Sequence, residues 1–194
     1  VAMDVTDEGS IVAAFDAAEA AFGAPDVVLA NAGLAEAGRA VDLELDRVNR
    51  VIETNFTGVY LTAREGARRM IAAGSKQSER GRIILTGSIT ADMTGQGDSA
   101  YAATKAAVAH LGRQLAREWA RLGINVNVIQ PGYIRTEIDG DWFDSEGGKA
   151  QNASWPRRRL ADATVLDDMA LFFASDASRQ VTGAHISLDD GQSL

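Results

Sequence analysis

The segment SAYAATKAAVAHL, Ser99 to Leu111, sets a tyrosine four residues before a lysine in a run of small and apolar residues. On a helix, side chains four apart lie on one face, one turn from each other. A free phenol, with a pKa of about 10, is a poor base at neutral pH, but a neighbouring ammonium favours the phenolate. Tyr101 and Lys105 are therefore candidates for a general acid–base pair. Such a pair would protonate a carbonyl oxygen or take the proton of a hydroxyl. The spacing alone does not separate that device from two ordinary helix residues. Ser88, after the apolar run RIIL, could donate a hydrogen bond to a substrate oxygen and hold it near Tyr101. Thr86 and Thr90 are rival hydroxyls. Asn55 stands inside a long helical segment, where Asn is mildly unfavourable.

These residues need elements to position them. Five apolar runs read as strands: Val1–Val5, Asp26–Ala30, Arg82–Thr86, Ile124–Ile129 and Ala184–Leu188. Several are near-continuous Val, Ile and Leu, as expected when both faces of a parallel sheet are covered. Helical spacing fills the intervals. Ser10–Phe22 is Ala-rich and follows the start signal TDEG. Leu45–Ala73 reads as one long helix, with Val48, Ile52, Val59, Ala63 and Met70 at turn spacing. Ser99–Leu122 carries Val108, Leu111, Leu115, Trp119 and Leu122 on one stripe, and Leu166–Ser175 is a shorter helix. This alternation predicts a single α/β domain over residues 1–194, with a doubly wound parallel sheet between helical layers. Ligands bind such sheets at the C-terminal strand edges. Polar residues follow the runs there: Asp4 with Thr6 and Asp7, then Asn31-Ala32-Gly33, Gly87-Ser88 and Pro131-Gly132.

The rhythm breaks over residues 131–160, a polar, Gly-containing stretch interrupted by aromatic residues. Connections of that length in a compact domain are usually functional, so short helices and a substrate lid, mobile without ligand, are expected. Trp142, Phe143 and Trp155 would form its apolar face over substrate, with packing or a subunit contact as the alternative. Arg157, Arg158 and Arg159 could meet an anionic substrate, although a solvated charge run is the commoner meaning. His110 and His185 read as structural.

Bulk composition narrows the classes. Apolar residues make up 46% and charged residues 24%, which is globular composition. The apolar runs are too short for a membrane span, and the start shows no secretory signal pattern. With Cys 0 and His 2, thiolate zinc sites and histidine-rich metal sites are excluded. The absence of cysteine fits a cytoplasmic protein. A net charge of −8 argues against non-specific nucleic-acid binding.

Taken in order, DVTD, ANAG, NFTG, LTGSI, YAATK, PGYIRT and the closing SDASRQVTGAHISLDDG resemble the classical short-chain dehydrogenase/reductase family over essentially all 194 residues. The resemblance implies a Rossmann-like three-layer fold and an oxidoreductase. Such an enzyme uses NAD or NADP to move hydride between nicotinamide and a ketone or secondary alcohol. It selects Ser88 among the hydroxyls and implies that Asn55, Ser88, Tyr101 and Lys105 form the catalytic set, Ser88 and Tyr101 also holding substrate. Tyr101 and Lys105 would also bind the cofactor, Lys105 at the nicotinamide ribose, and Asn55 would sit at a helix distortion whose backbone carbonyl holds a water linked to Lys105. Asp4 and Val5 would contact adenine, and Asn31, Ala32 and Gly33 would pass under the adenosine ribose. Pro131 and Gly132 would form a rigid turn, with Ile134 and Thr136 bonding the nicotinamide carboxamide. Trp142 and Phe143 would cover substrate. The long helices imply a homotetramer or dimer, and 3-oxoacyl thioesters, sugar-derived ketones and xenobiotic ketones are all candidate substrates. The family's Gly-rich TGxxxGxG turn is not found, so about two N-terminal βα units are expected to be missing, with the residue that chooses between the two cofactors. ANAG replaces NNAG, and DDGQ replaces DGG. A binding protein built on an inactive remnant of this fold is the alternative; the presence of Asn55, Ser88, Tyr101 and Lys105 together speaks against it.

Overall fold

Four parallel strands form one sheet in chain order: β1 (Val27–Ala30), β2 (Gly81–Thr86), β3 (Ile124–Pro131) and β4 (His185–Leu188). The computed structural model describes residues 1–135 and 141–194. Helices are α1 (Glu8–Phe22), α2 (Leu45–Ile52), α3 (Val59–Ala72), α4 (Ser75–Ser78), α5 (Ser99–Trp119), α6 (Glu146–Ser154) and α7 (Asp167–Ala174). Side chains alternate across a strand, so both faces of the central strands are apolar and each face needs a helical layer. Ile83 and Leu85 of β2 and Val126 and Val128 of β3 pack with α3 and α5. Ile84 and Ile129 face the other way, against Phe173 of α7. The result is the expected three-layer, Rossmann-like α/β architecture. No helix among the described residues is long and apolar enough to cross a membrane.

Two expectations need correction. Val1–Val5 is not a strand: Val1, Ala2, Met3 and Asp4 are exposed irregular chain, and only Val5 is buried. Apolar side chains suit a segment to a strand, but the strand exists only where a neighbour's N–H and C=O groups complete a ladder. The segment leads instead into α1, whose N-cap Asp7 accepts from the Gly9 amide at 2.8 Å.

The second correction concerns the long helix over 45–73. It runs through a π segment, Glu53–Gly58, between α2 and α3. The wider turn takes up an extra residue, so the apolar stripe slips by one across it. Val59, Ala63 and Met70 are buried as expected, but the stripe continues backward through Val51, which is fully buried, and Ile52 is exposed. Asn55 lies inside this segment, where the resemblance had implied a distortion.

Helix α5 lies close on the sheet. Val108, Leu115 and Trp119 are buried on the predicted stripe, with Leu111 and Leu122 packed against them. Gly112 faces β3, where a Cβ would come 2.4 Å from Val128 Cγ2. Alanine is the better helix former, yet overpacking dominates here. Gly112→Ala is expected to lower the unfolding free energy by about 1–3 kcal/mol in chemical denaturation. A neutral or stabilising result would show that α5 can back away from β3. The 131–160 stretch carries short helices, as expected: a 3-10 turn at Trp142–Asp144 and α6.

Candidate active site

The candidate residues gather at the C-terminal ends of β1, β2 and β3. Thr86, the last residue of β2, donates its hydroxyl to Asn31 Oδ1 just past β1, at 3.0 Å. Its backbone carbonyl accepts from Lys105 Nζ at 2.9 Å. One contact thus ties the strand end to α5. Lys105 is only 3% exposed, and its Nζ lies 5.5 Å from the centroid of the Tyr101 ring. Burial pushes the Lys105 pKa down to about 8. Its ammonium has three N–H donors, of which one reaches Thr86.

Asn55 is fully buried beside them. Its amide clamps a single peptide: Oδ1 accepts from the Leu34 N–H at 2.9 Å, and Nδ2 donates to the Leu34 carbonyl at 2.8 Å. A weaker contact, 3.4 Å, runs from Nδ2 to the Thr104 hydroxyl, which donates to the Tyr101 carbonyl at 2.7 Å. Gly33 sits between: a Cβ there would lie 3.5 Å from Asn55 Oδ1 and 3.6 Å from Lys105 Nζ. The π segment therefore sets Asn55, the turn after β1 and Lys105 side by side. The Leu34 clamp was not foreseen. Its only signal in the sequence is a polar amide within a helix, where such residues seek partners elsewhere.

Ser88 caps the 3-10 turn Ile89–Ala91 that leaves β2. Its Oγ accepts from the Thr90 amide at 3.2 Å and from the Thr90 hydroxyl at 2.9 Å. Thr86 is spent on Asn31, so of the three candidate hydroxyls two form a pair at the strand end.

Val5, Asn31 and Ala32 line a cavity with Gly58 and Thr62, and Ser88 is not part of its lining. The Thr62 hydroxyl is buried there without a hydrogen-bond partner among the described residues. Such a group suits a polar ligand. Asp4, at the surface, accepts from the Thr6 amide at 2.9 Å and the Thr6 hydroxyl at 2.7 Å; these bonds hold its carboxyl below the usual range.

Pro131 closes β3 opposite Leu188, and Gly132 donates to the Leu188 carbonyl at 3.0 Å. The C-terminal segment buttresses this turn: a Cβ at Gly132 would come 2.4 Å from Gln192 Oε1. Buried Gln192 accepts from the Tyr133 amide at 2.6 Å and donates to the carbonyls of Tyr133 and Arg159 at 3.1 and 3.2 Å. Ile134 bridges to Ala161, so both ends of the long loop meet here. Thr136 lies outside the described residues. Asp190, in DDGQ, has φ 53 and pairs with Arg157 at 3.0 Å and Arg159 at 2.7 Å. Two of the three arginines thus fasten the loop to the C-terminal turn. Tyr133 stacks on Trp155 at 5.2 Å and meets Phe143 edge-on at 5.7 Å. Phe143 and Trp155 are buried in this cluster, whereas Trp142 is 52% exposed and donates its indole N–H to Gln151.

Parallel strands with a buried lysine beside a tyrosine at one strand end, and a serine just past that same end, define a class of dinucleotide-fold oxidoreductases. A family model described as Enoyl-(Acyl carrier protein) reductase matches residues 1–193, and the chain belongs to the short-chain dehydrogenase/reductase family. It is 36% identical over 202 residues to the oxidoreductase UcpA of Escherichia coli strain K12, covering 100% of this chain and 75% of that one. It is 38% identical to cis-4-hydroxycyclohexanecarboxylate dehydrogenase of Sinomonas cyclohexanicum, covering 98% and 75%. Among solved structures, a gluconate 5-dehydrogenase from Burkholderia cenocepacia in complex with NADP and tartrate superposes with a TM-score of 0.91 at 32% identity, covering 98% and 73%.

Proposed function

We propose that the protein is a nicotinamide-dependent oxidoreductase interconverting a small ketone and its secondary alcohol, with Tyr101 as general acid–base. The observation that carries this reading is the burial of Lys105 against Tyr101 at the end of β2, where a desolvated ammonium held by one backbone carbonyl would be costly without a function. The site suits a nicotinamide nucleotide: Lys105 keeps N–H donors for the ribose hydroxyls, and in the cavity at Val5, Asn31 and Ala32 the Thr62 hydroxyl has no partner among the described residues. Asp4 would lie toward adenine, with Gly33 under the ribose and Pro131, Gly132 and the Ile134 backbone toward the carboxamide; Thr136 belongs to the same proposal. The bound nicotinamide would supply or accept hydride at C4.

The chain's own part is proton and position. In the reductive direction Ser88 donates to the carbonyl oxygen. Tyr101 gives its phenolic proton to that oxygen as the carbonyl carbon becomes C–H. In the oxidative direction Tyr101 takes the hydroxyl proton back. Lys105 stabilises the phenolate left between turnovers, and Asn55 holds the Leu34 peptide that walls the site. Trp142, exposed at the loop, is the residue best placed to cover substrate; Phe143 would act by supporting it. The related dehydrogenases act on polar alcohols such as D-threitol and a hydroxycyclohexane carboxylate, which favours a polar secondary alcohol here. A 3-oxoacyl substrate is the second reading, favoured by 32% identity to the reductase FabG of Salmonella typhimurium. The exposed Ile52, Tyr60 and Ile71 on α2 and α3 support a homo-oligomer formed through those helices.

Titration with NADH and NADPH, followed by nucleotide fluorescence, tests the reading. One of the two should bind in the micromolar range and be oxidised by at least one ketone of a polar panel. Failure of the full-length protein to bind either nucleotide would sink it.

A further inference from the structure

We infer that Thr90 is a positioning residue that makes Ser88 a one-way hydrogen-bond donor toward the substrate oxygen. This rests on the proposed role of Ser88. A serine hydroxyl has one hydrogen to give and two lone pairs to accept with. At Ser88 both acceptor positions are taken from a single neighbour. The Thr90 amide occupies one at 3.2 Å, and the Thr90 hydroxyl occupies the other at 2.9 Å. What Ser88 has left is its own hydrogen.

The surroundings make this assignment durable. Ser88 is 7% exposed and Thr90 9%, so water competes weakly for either hydroxyl. The two residues are joined by one 3-10 turn, with Ile89 buried between them, which keeps the pair in register. A free serine rotor would divide its time between donating and accepting. Here the donor direction is prepaid, and a donor fixed before reaction is worth more than one that must reorient as charge develops on the oxygen. An alcohol substrate that presents its own O–H to Ser88 finds no vacant lone pair, so its proton is directed to Tyr101. Thr90 touches neither substrate nor cofactor in this scheme; it acts through Ser88.

The experiment is a double-mutant cycle on ketone reduction, with Thr90→Val, Thr90→Ser, Ser88→Ala and the Ser88→Ala/Thr90→Val double variant. Thr90→Val keeps the shape and removes the hydroxyl. It should lower kcat about tenfold with the KM for nucleotide unchanged, while Thr90→Ser should stay within about twofold of wild type. In the Ser88→Ala background, Thr90→Val should have no further effect, since the residue it positions is gone. Equal losses in the two backgrounds, or a silent Thr90→Val beside an impaired Ser88→Ala, would overturn the inference alone. A fully active Ser88→Ala would overturn the assigned role of Ser88 and Thr90's role with it. Thermal melts within a few degrees of wild type separate these outcomes from misfolding.

Discussion

Tyr101→Phe is expected to lower kcat/KM for ketone reduction by about 100- to 10,000-fold, the range associated with losing a positioned general acid. The substitution is a narrow one. Phenylalanine keeps the ring that faces Lys105 Nζ at 5.5 Å and the backbone carbonyl that accepts from Thr104. It removes only the proton carrier. Nucleotide affinity should therefore be nearly unchanged, because the ammonium and the Leu34 clamp are untouched. The loss should fall on kcat, since proton transfer stabilises the transition state more than the ground state. A variant with a third or more of wild-type turnover would mean that another group moves the proton, and the assignment of Tyr101 would fail.

Lys105→Met tests chemistry and stability by separate readouts. Turnover should fall by at least about 100-fold, because the cation opposite the phenolate is lost. Stability should lose its alkaline rise. Burial holds Lys105 at about 8 in the folded chain against an ordinary 10.5. Below pH 8 both folded and unfolded forms carry the proton, and this group contributes no slope. Between 8 and 10.5 the unfolded chain binds more protons than the folded one, so stability rises with pH. The sum over that window is roughly 3 kcal/mol. Urea melts of nucleotide-free wild type at pH 7.5 and pH 10 should reveal the rise, and the methionine variant should lack it. If both proteins respond alike to pH, Lys105 is not the buried cation it is taken to be. The comparison must be made without nucleotide, whose ribose would hold the protonated form.

How much of this was legible beforehand varies residue by residue. The α5 stripe of Val108, Leu115 and Trp119 was readable because helical period is a property of neighbouring residues. The strands β2 and β3 were readable because two-sided burial leaves continuous apolar runs, and β1 and β4 were readable as short apolar runs although only one face of β1 is buried. The stripe through Ile52 misled because a π turn slips the register by one, and nothing in the spacing of Val48 to Met70 marks the slip. The strand at Val1–Val5 misled because pairing depends on a neighbour, not on the segment. Arg157 and Arg159 were legible as charge but not as partners of Asp190, which lies about thirty residues further on and adopts a left-handed φ of 53.

The sequence by itself determined the chemical inventory: a tyrosine and a lysine one helical turn apart, a hydroxyl at a strand end, no thiol, and alternating strands and helices. These are local facts, set by covalent order and by the periods of helix and strand. Tertiary structure decided everything that needed a distant partner. It put Lys105 on the carbonyl of Thr86, gave Asn55 the Leu34 peptide, locked the Pro131 turn with Gln192, and spent Thr86 on Asn31. A buried polar group must find its partner wherever the chain brings one. Of the three candidate hydroxyls, the folded rim bonds Thr86 to Asn31 and pairs Ser88 with Thr90.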